Sequence, residues 1–104
     1  MNHIIFDGTI SKDPELGATG SGIPVLNLSV ANTRRWKDRQ NQSHEDTNYF
    51  PVECYGPLAE LVAAKAKKGS FMVIEGFIKN VTWSAPDGQR RQKVVIEAKE
   101  ILVA

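Results

Sequence analysis

Alternation of apolar and polar residues is the feature that most constrains the fold of this chain. It occurs in five segments, which are HIIFDGTIS (3–11), VLNLSVANT (25–33), TNYFPVECYG (47–56), SFMVIEGFIKNVTW (70–83) and QKVVIEAKEILVA (92–104). A period of two places neighbouring side chains on opposite faces of a strand, so that one face of each segment can be buried. The sequence therefore predicts five β-strands.

A single segment, GPLAELVAAKAKKG (56–69), has the pattern of a helix. Pro57 suits the first turn, three lysines complement the dipole at the C-terminal end, and Gly69 can adopt the left-handed conformation that stops a helix. The apolar stripe of this segment consists of Leu58, Leu61 and Val62. We expect a helix of about twelve residues between the third and fourth strands.

The connections between these segments differ in character. DPELGATGSGIP (13–24) is rich in turn-forming residues and is predicted to be a loop, whereas the polar stretch 34–46 is long enough for a protruding hairpin loop. Asp87 and Gly88 predict a tight hairpin turn between the last two strands. Pro51 cannot donate to a ladder of hydrogen bonds, so its strand should lie at a sheet edge or carry a bulge.

Three strands, a helix and two further strands in a chain of 104 residues are typical of one small all-β domain. The order predicts a five-stranded OB-fold, a Greek-key β-barrel with a helix between strands 3 and 4, over residues 1–104. An SH3-like barrel is the alternative, but it would not need a helix at that place.

Catalytic and metal-binding patterns are absent from the sequence. His3 and His44 lie far apart and Cys54 stands alone, so no zinc-site spacing exists. Glu45 and Asp46 are adjacent and do not form the opposed carboxylate pair of acid–base hydrolysis. We therefore expect no enzymatic activity, no metal and no cofactor. One cysteine, no secretory leader and no apolar run of roughly 20 residues favour a cytoplasmic protein without a membrane segment.

Aromatic and basic residues indicate a different kind of function. The tryptophans and tyrosines fall in polar stretches or on the polar face of a strand, whereas all phenylalanines (Phe6, Phe50, Phe71 and Phe77) fall in apolar runs. The first group consists of Trp36, Tyr49, Tyr55 and Trp83. The basic residues interleaved with these rings, or close to them along the chain, are Arg34, Arg35, Lys37, Arg39, Lys79, Arg90 and Arg91.

Each such ring taken alone is typical of a half-exposed surface residue. Together with the basic residues, the rings predict a surface for single-stranded DNA, although the net charge is only +1. A base stacked on an aromatic ring contributes roughly 1–3 kcal/mol whatever its identity, and lysine or arginine neutralises the phosphates. On this interpretation, Trp36 is a stacking platform with its phosphate contacts beside it.

In this combination the sequence resembles the bacterial single-stranded-DNA-binding proteins, which carry one OB-fold per chain. The resemblance is carried by MNHIIFDGTISKDPEL, SGIPVLNLSVAN, Trp36, EDTNYFPVECYG, LAELVAAKAKKGSFMVIEG and Trp83. The residues that the resemblance assigns to base stacking are Trp36, Tyr49, Tyr55 and Trp83. Those that it assigns to basic contacts are Arg39, Lys68 and Lys79. It also implies a role in replication, recombination and repair.

The resemblance further implies self-association through the first strand, into dimers and usually tetramers. An outward apolar residue on that strand, Ile5, supports the same expectation, because small barrels expose strand edges that another copy can cover. We expect a homotetramer rather than a homodimer.

The sequence departs from the family pattern at several positions. Pro51, Pro57 and the pair Val81 and Thr82 stand where relatives often carry basic residues, which predicts weaker or more salt-sensitive DNA binding. Family members usually continue through a Gly/Pro/Gln-rich linker to an acidic tip that recruits other proteins. The sequence stops at EILVA without either segment, so partners that bind such a tip are not expected.

Two other functions are alternatives to this one. A replication-restart factor similar to primosomal replication protein N would have an OB-fold of comparable length, but such proteins generally lack this set of Trp and Tyr residues. An OB-fold that binds proteins or oligosaccharides would leave the basic residues around Trp36 without a role.

Overall fold

The computed structural model describes residues 1–104, which form six strands and one helix. In chain order these elements are β1 (Ile4–Ile10), β2 (Glu15–Ala18), β3 (Pro24–Lys37), β4 (Ser43–Tyr55), α1 (Pro57–Lys65), β5 (Phe71–Ser84) and β6 (Arg90–Val103). No helix of the structure combines the length and the apolar character needed to cross a membrane.

Five of the strands close into a barrel. The sheet order is β1-β5-β6-β4-β3-β2, and an additional pairing of β1 with β3 joins the sheet to itself. All pairings are antiparallel except that of β4 with β6. The predicted five-stranded OB-fold barrel, with its helix between the third and fourth barrel strands, is confirmed. β2 lies outside the barrel and pairs only with β3.

The barrel is made of two long hairpins, a pairing of β1 with β5 from Ile4↔Gly76 to Thr9↔Phe71, and two short closing pairings. β3 pairs with β4 from Val25↔Tyr55 to Lys37↔Ser43, and β5 pairs with β6 along nearly its whole length. By contrast, β1 pairs with β3 only at Thr9 and Ile10, and β4 pairs with β6 only at Val52 and Glu53. Most of the sheet therefore consists of strands that follow one another directly in the chain.

The strand β2 corrects the prediction of a loop over residues 13–24. Residues Glu15–Ala18 pair antiparallel with Pro24–Asn27 at the outer edge of β3. All four β2 residues are exposed. Because no side chain of β2 is buried, the segment has no apolar alternation that could have marked it as a strand.

The polar stretch 34–46 is a hairpin, as predicted, but most of it is strand rather than loop. We call residues 33–47 the ribbon; only residues 38–42 form its turn. Cross-strand side-chain contacts support it, with 3.0 Å between the hydroxyl oxygens of Thr33 and Thr47 and 2.9 Å from Arg35 Nε to Glu45 Oε2. In the turn, Asp38 Oδ1 accepts hydrogen bonds from the backbone N–H groups of residues 40 and 42.

Pro51 marks no bulge, and β4 is not an edge strand over its whole length, but at Pro51 the side of β4 away from β3 is unpaired, as an edge position requires. β4 lies between β3 and β6, and its pairing with β3 runs without a register shift. The pairing with β6 begins only at Val52. No strand faces Pro51 on that side of β4, so the N–H group that proline lacks has no partner to lose. The one irregularity of the barrel lies elsewhere, between Glu75 and Gly76 of β5.

The helix α1 has nine residues and is shorter than predicted. It ends at Lys65 because Ala66 is extended, with φ −92° and ψ 141°. Gly69 does adopt positive φ (91°), but in a separate turn that is tied to the end of β1, where its N–H donates to the carbonyl of Ile10. Leu61, predicted to be in the apolar stripe, is exposed, and Ala59 is buried instead.

The core lies inside the barrel and under α1. Its buried residues come from all five barrel strands and the helix, and include Ile10, Leu26, Leu28, Val30, Val52, Met72, Ile74, Ile96 and Val62. Cys54 is also fully buried, and burial raises the pKa of its thiol to about 11. No phenylalanine is buried; Phe50 and Phe71 are exposed, so their position in apolar runs did not predict core residues.

Candidate nucleic-acid interface

A groove runs along the outer face of β3 and β4. Residues at odd positions of β4 point away from the core, since Val52 and Cys54 at even positions are buried. The groove has a volume of about 400 Å³. The residues that line it are Lys12, Glu15, Asn27, Leu28, Ser29, Tyr49, Pro51, Val52, Glu53, Lys93 and Val95.

Tyr49 is the aromatic residue of this groove. It lies on β4 opposite Ala31 of β3, a small residue that leaves the tyrosine ring 64% exposed. Lysines approach from two other elements, Lys12 from the segment after β1 and Lys93 from β6. The groove therefore offers an open ring for stacking and cations for phosphates, which is the combination that single-stranded nucleic acids require.

Tyr55, six positions further along β4, belongs to a cluster of charged residues, which we call the Tyr55 cluster. It comprises Glu53, Tyr55, Lys79, Glu97 and Lys99. The Tyr55 hydroxyl donates to Glu53 Oε1 at 2.7 Å, and Lys79 Nζ lies 2.6 Å from the same oxygen. Lys79 Nζ also lies 2.9 Å from Glu97 Oε1, and Lys99 Nζ lies 2.9 Å from Glu97 Oε2.

Partial burial makes these contacts strong. The side chains of Glu53, Glu97 and Lys79 are 13%, 15% and 29% exposed. Desolvation alone would lower the pKa of Lys79, but the hydrogen bonds and charges of the two glutamates outweigh it and raise that pKa above its ordinary value. Desolvation would raise the pKa of Glu97, but its bonds to the two lysines outweigh that effect and lower it. The cluster is therefore a set of fixed charges.

The same contacts affect the tyrosine and its neighbouring cation. The hydrogen bond to Glu53 raises the pKa of Tyr55, and burial acts in the same direction. Lys79 Nζ lies 5.2 Å from the centre of the Tyr55 ring. Lys79 thus lies beside a predicted stacking residue, but its ammonium group is already paired with two carboxylates.

Trp36 lies on the ribbon, in a stack of its own. Its ring is 5.2 Å from that of His44 on the opposite strand, at an interplanar angle of 22°, and Arg34 Cζ lies 4.5 Å from the indole centre. His44 Nε2 lies 2.8 Å from Asp38 Oδ2, a contact that lowers the pKa of the aspartate. The turn therefore holds the imidazole that supports the indole.

The hairpin of β3 and β4 presents Trp36 and Tyr49 on two different faces. Trp36 pairs with His44, and both have even numbers, as do the core-facing residues of the same strands. Tyr49 has an odd number and points to the outer face. The structure does not place these two rings on one face of the sheet, a feature that the sequence patterns did not reveal.

The basic residues of the ribbon are exposed. Arg35 Nε contacts Glu45 Oε2 at 2.9 Å and Arg34 contacts Asp46 at 3.9 Å, both with side chains more than half exposed. Lys37 is the last residue of β3, and Arg39 follows in the turn, where it is exposed. Ion pairs at such exposure contribute little, so Arg34 and Arg35 can exchange a carboxylate for a phosphate.

The hairpin of β5 and β6 carries the second tryptophan. Trp83 pairs with Arg91 and Ser84 with Arg90, and Trp83 is 44% exposed. Arg91 forms an ion pair with Asp87 in the turn, with 2.9 Å from Nη2 to Oδ2. Lys68 lies apart from these residues, in the turn after α1, and it does not line the groove.

Several residues of this surface were not predicted from the sequence. Lys93, Glu53 and Glu97 come together only because β4 pairs with β6 in parallel, with Glu53 opposite Glu97, whereas Lys12 is brought to the groove by the contact of Ser11 with Ser29 of β3. The run RRQK (90–93) was the one sequence signal that pointed towards Lys93. No group of three or more His, Cys, Asp or Glu residues in the structure is arranged to hold a metal ion.

Comparison with known proteins gives one consistent answer. The model described as "Single-strand binding protein family" matches residues 1–104. Single-stranded DNA-binding protein 2 of Chlorobaculum tepidum is 37% identical over 102 residues, which are 97% of this chain and 69% of the relative. Single-stranded DNA-binding protein 1 of Xylella fastidiosa is 33% identical, covering 97% and 75% of the two chains.

Solved structures show the same similarity. The wild-type single-stranded DNA binding protein from Thermus aquaticus has a TM-score of 0.86 at 26% identity and covers all of this chain and 50% of its own. The SSB of Plasmodium falciparum, in complex with ssDNA, has a TM-score of 0.87 at 21% identity, covering 100% and 95% of the two chains. At 21% identity, the similarity to the Plasmodium falciparum protein shows a shared fold.

Proposed function

Because the chain belongs to the single-strand binding protein family, we propose that it binds and protects single-stranded DNA, without a defined recognition sequence, in replication, recombination and repair. Such an activity belongs to the nucleoid, within the cytoplasm. Binding occurs by stacking of bases on aromatic side chains, with lysine and arginine at the phosphates.

The observation that carries this proposal is the groove itself. It lies on the strand face that OB-folds use for oligonucleotides, and it combines the exposed ring of Tyr49 with Lys12 and Lys93. At the centre of an interface between two proteins, charged residues such as lysine and glutamate are depleted. Polar and charged side chains line most of the groove instead.

We assign stacking and phosphate contacts to different residues. Those proposed to stack on bases are Trp36, Tyr49, Tyr55 and Trp83. Those proposed to contact phosphates are Lys12, Arg34, Arg35, Lys37, Arg39, Arg90, Arg91 and Lys93. Lys79 is close enough to the DNA surface to act there, but its pairing with two glutamates favours a role in holding Tyr55. Lys68 would be reached only by DNA that continues past the groove.

We further propose that the protein is a homo-oligomer, a tetramer rather than a dimer. Four exposed apolar residues, Ile5, Phe71, Val73 and Leu102, lie on one face of β1, β5 and β6 because their strand partners are in register. The edge of β1 before Thr9 has no partner strand. A second copy would cover both the face and the edge. Light scattering at micromolar concentration tests this, and a monomer would contradict it.

Titration with oligo-dT tests the binding function. Stacking on the indoles should quench tryptophan fluorescence, and log affinity should fall linearly with log salt by about 0.7 for each neutralised phosphate. Charge reversal at Arg34, Arg35 and Arg39 together should make that slope shallower. An affinity that is absent, or independent of salt, would instead favour an OB-fold that binds proteins or oligosaccharides.

A further inference from the structure

We infer that Glu53 gives the DNA-binding surface a local preference for bases that carry an exocyclic amino group, cytosine foremost, over the same bases without that group. This inference rests on the proposed function and concerns one position within it. It leaves the remaining contacts indifferent to sequence.

The location of Glu53 suits a contact with the edge of a base. It lines the groove together with Tyr49 and lies two positions before Tyr55 on the same outer face of β4. A base stacked on either ring would bring its edge, rather than its phosphate, towards the strand between them. Glu53 is the charged side chain at that place.

The hydrogen bonds of Glu53 leave one of its oxygens available. The Tyr55 hydroxyl and the Lys79 ammonium both engage Oε1, at 2.7 Å and 2.6 Å. These two contacts fix the carboxylate in the wall of the groove and leave Oε2 for a ligand. An ionised carboxylate oxygen only accepts hydrogen bonds, so it selects for donors.

Repulsion of the DNA by this carboxylate is offset within the cluster. The negative charges of Glu53 and Glu97 are matched by the positive charges of Lys79 and Lys99 at the distances given above. A phosphate gains little here, because the lysines are already engaged. A neutral base edge gains a charge-assisted hydrogen bond.

Base chemistry then sets the preference. In a single strand the Watson–Crick edges are unpaired, and cytosine N4 and adenine N6 offer amino hydrogens. Thymine offers only its N3–H, which lies between two carbonyl oxygens that would face the carboxylate. Cytosine is the better probe, since adenine strands stack on themselves and oppose binding for another reason.

The test compares oligo-dC with an oligomer of the 2-pyrimidinone deoxynucleoside, which is cytosine without its amino group. Both are titrated into the full protein at the same salt and at slightly alkaline pH, where cytosine is not protonated, with oligo-dT as the reference. We expect the wild-type protein to bind oligo-dC about three- to tenfold more tightly than the oligomer without the amino group. In Glu53→Gln this ratio should fall towards one.

Glu45→Gln is the matched control. Glu45 lies on the same face of the same strand, so the substitution removes an equal charge, but at the ribbon rather than in the groove. It should change the affinities for both oligomers by the same factor and leave their ratio as in the wild type. If Glu53→Gln also changed the affinities for both oligomers by the same factor, Glu53 would act by charge alone, and the inference would be overturned.

The comparison of oligomers on the wild-type protein does not depend on any variant folding. Equal affinities for oligo-dC and its amino-free counterpart would overturn the inference, while tight binding of oligo-dT in the same experiment would uphold the proposed function. Failure to bind any of the three oligomers would overturn both.

Discussion

The ribbon and the Tyr55 cluster each place a cation beside an aromatic ring, but in different surroundings. On the ribbon, Arg34 lies 4.5 Å from the centre of the Trp36 ring, and its carboxylate partner Asp46 is 3.9 Å away and more than half exposed. In the cluster, Lys79 lies 5.2 Å from the centre of the Tyr55 ring and holds two carboxylates that are mostly buried. The cation beside the ring is therefore loosely paired on the ribbon and firmly paired in the cluster.

The difference shows how one surface can separate binding from folding. Exposed ion pairs are weak and screened by salt, so the ribbon cations lose little free energy when they leave a carboxylate and bind a phosphate. Partly buried ion pairs are stronger, and removal of one partner leaves an uncompensated charge. We therefore expect substitutions on the ribbon to alter DNA affinity and substitutions in the cluster to alter both affinity and stability.

The largest effect should come from the backbone that supports the cluster. A Cβ atom at Gly76 would collide with the carbonyl oxygen of Glu97, so Gly76→Ala must displace the strand that carries Glu97. We expect the free energy of unfolding to fall by about 3 kcal/mol. Urea denaturation measures it. Gly17→Ala, where nothing lies within 4 Å of the added atom, is the control. Equal stabilities of the two variants would show that the cluster is not held by this close approach.

Next in size is the loss of stacking on the ribbon. Trp36→Ala should weaken binding of oligo-dT by about 1–3 kcal/mol, while the free energy of unfolding changes little. Trp36→Phe, which keeps a ring beside His44, should lose less. Equal losses of affinity and stability in Trp36→Ala would show that the indole supports the ribbon rather than the DNA.

Lys79→Met should destabilise the protein by about 1–2 kcal/mol, less than for a fully buried pair because Lys79 retains some contact with water. The pH dependence gives a second readout. Because the pKa of Glu97 is lowered in the folded state, its stabilising contribution is present at neutral pH and is lost as the pH falls below the ordinary range of a glutamate.

Removing Lys79 should therefore make the decline of stability on acidification shallower. Thermal melts between neutral and acidic pH measure this, with Lys93→Met as a control, since Lys93 is exposed and outside the cluster. An unchanged acid profile in Lys79→Met would mean that Lys99 alone sets the pKa of Glu97.

The smallest effect concerns the exposed pair of Arg35 and Glu45. A double-mutant cycle of alanine variants should give a coupling in unfolding free energy below about 0.5 kcal/mol. The same Arg35 variant should lower the salt slope of DNA binding by about 0.7, because one phosphate contact is lost. A coupling well above this value would remove the contrast between the ribbon and the cluster.

Local patterns in the sequence were sufficient for most of the fold. The alternation in β1 and β5, the start of α1 at Pro57 and the turn at Gly88, which has φ 82°, each depend on neighbours in the chain. The pattern failed for β2, whose side chains are all exposed, and for the ribbon, whose polar residues are held by cross-strand contacts. The fold class followed from the order of elements rather than from their exact bounds.

The candidate site was less predictable, for a geometric reason. Trp36 and Arg34 are near in the chain, and their proximity could be expected from residue types alone. Glu53 and Glu97 meet only across the parallel pairing of β4 and β6, whose register no local pattern encodes. The roles of the aromatic residues in DNA binding were predicted from their position among basic residues and from the resemblance to a family, and they stay predictions.

The unequal lengths of the strand pairings also bear on how the chain folds. The β3–β4 and β5–β6 hairpins join segments that are adjacent in sequence, so each can form with a small loss of chain entropy. The remaining barrel pairings are non-local: β1–β3 and β4–β6 bring only two residue pairs each, and β1–β5 joins the first strand to residues Phe71–Gly76. We expect the hairpins to form early and barrel closure to limit the folding rate, as contact order predicts for non-local pairings.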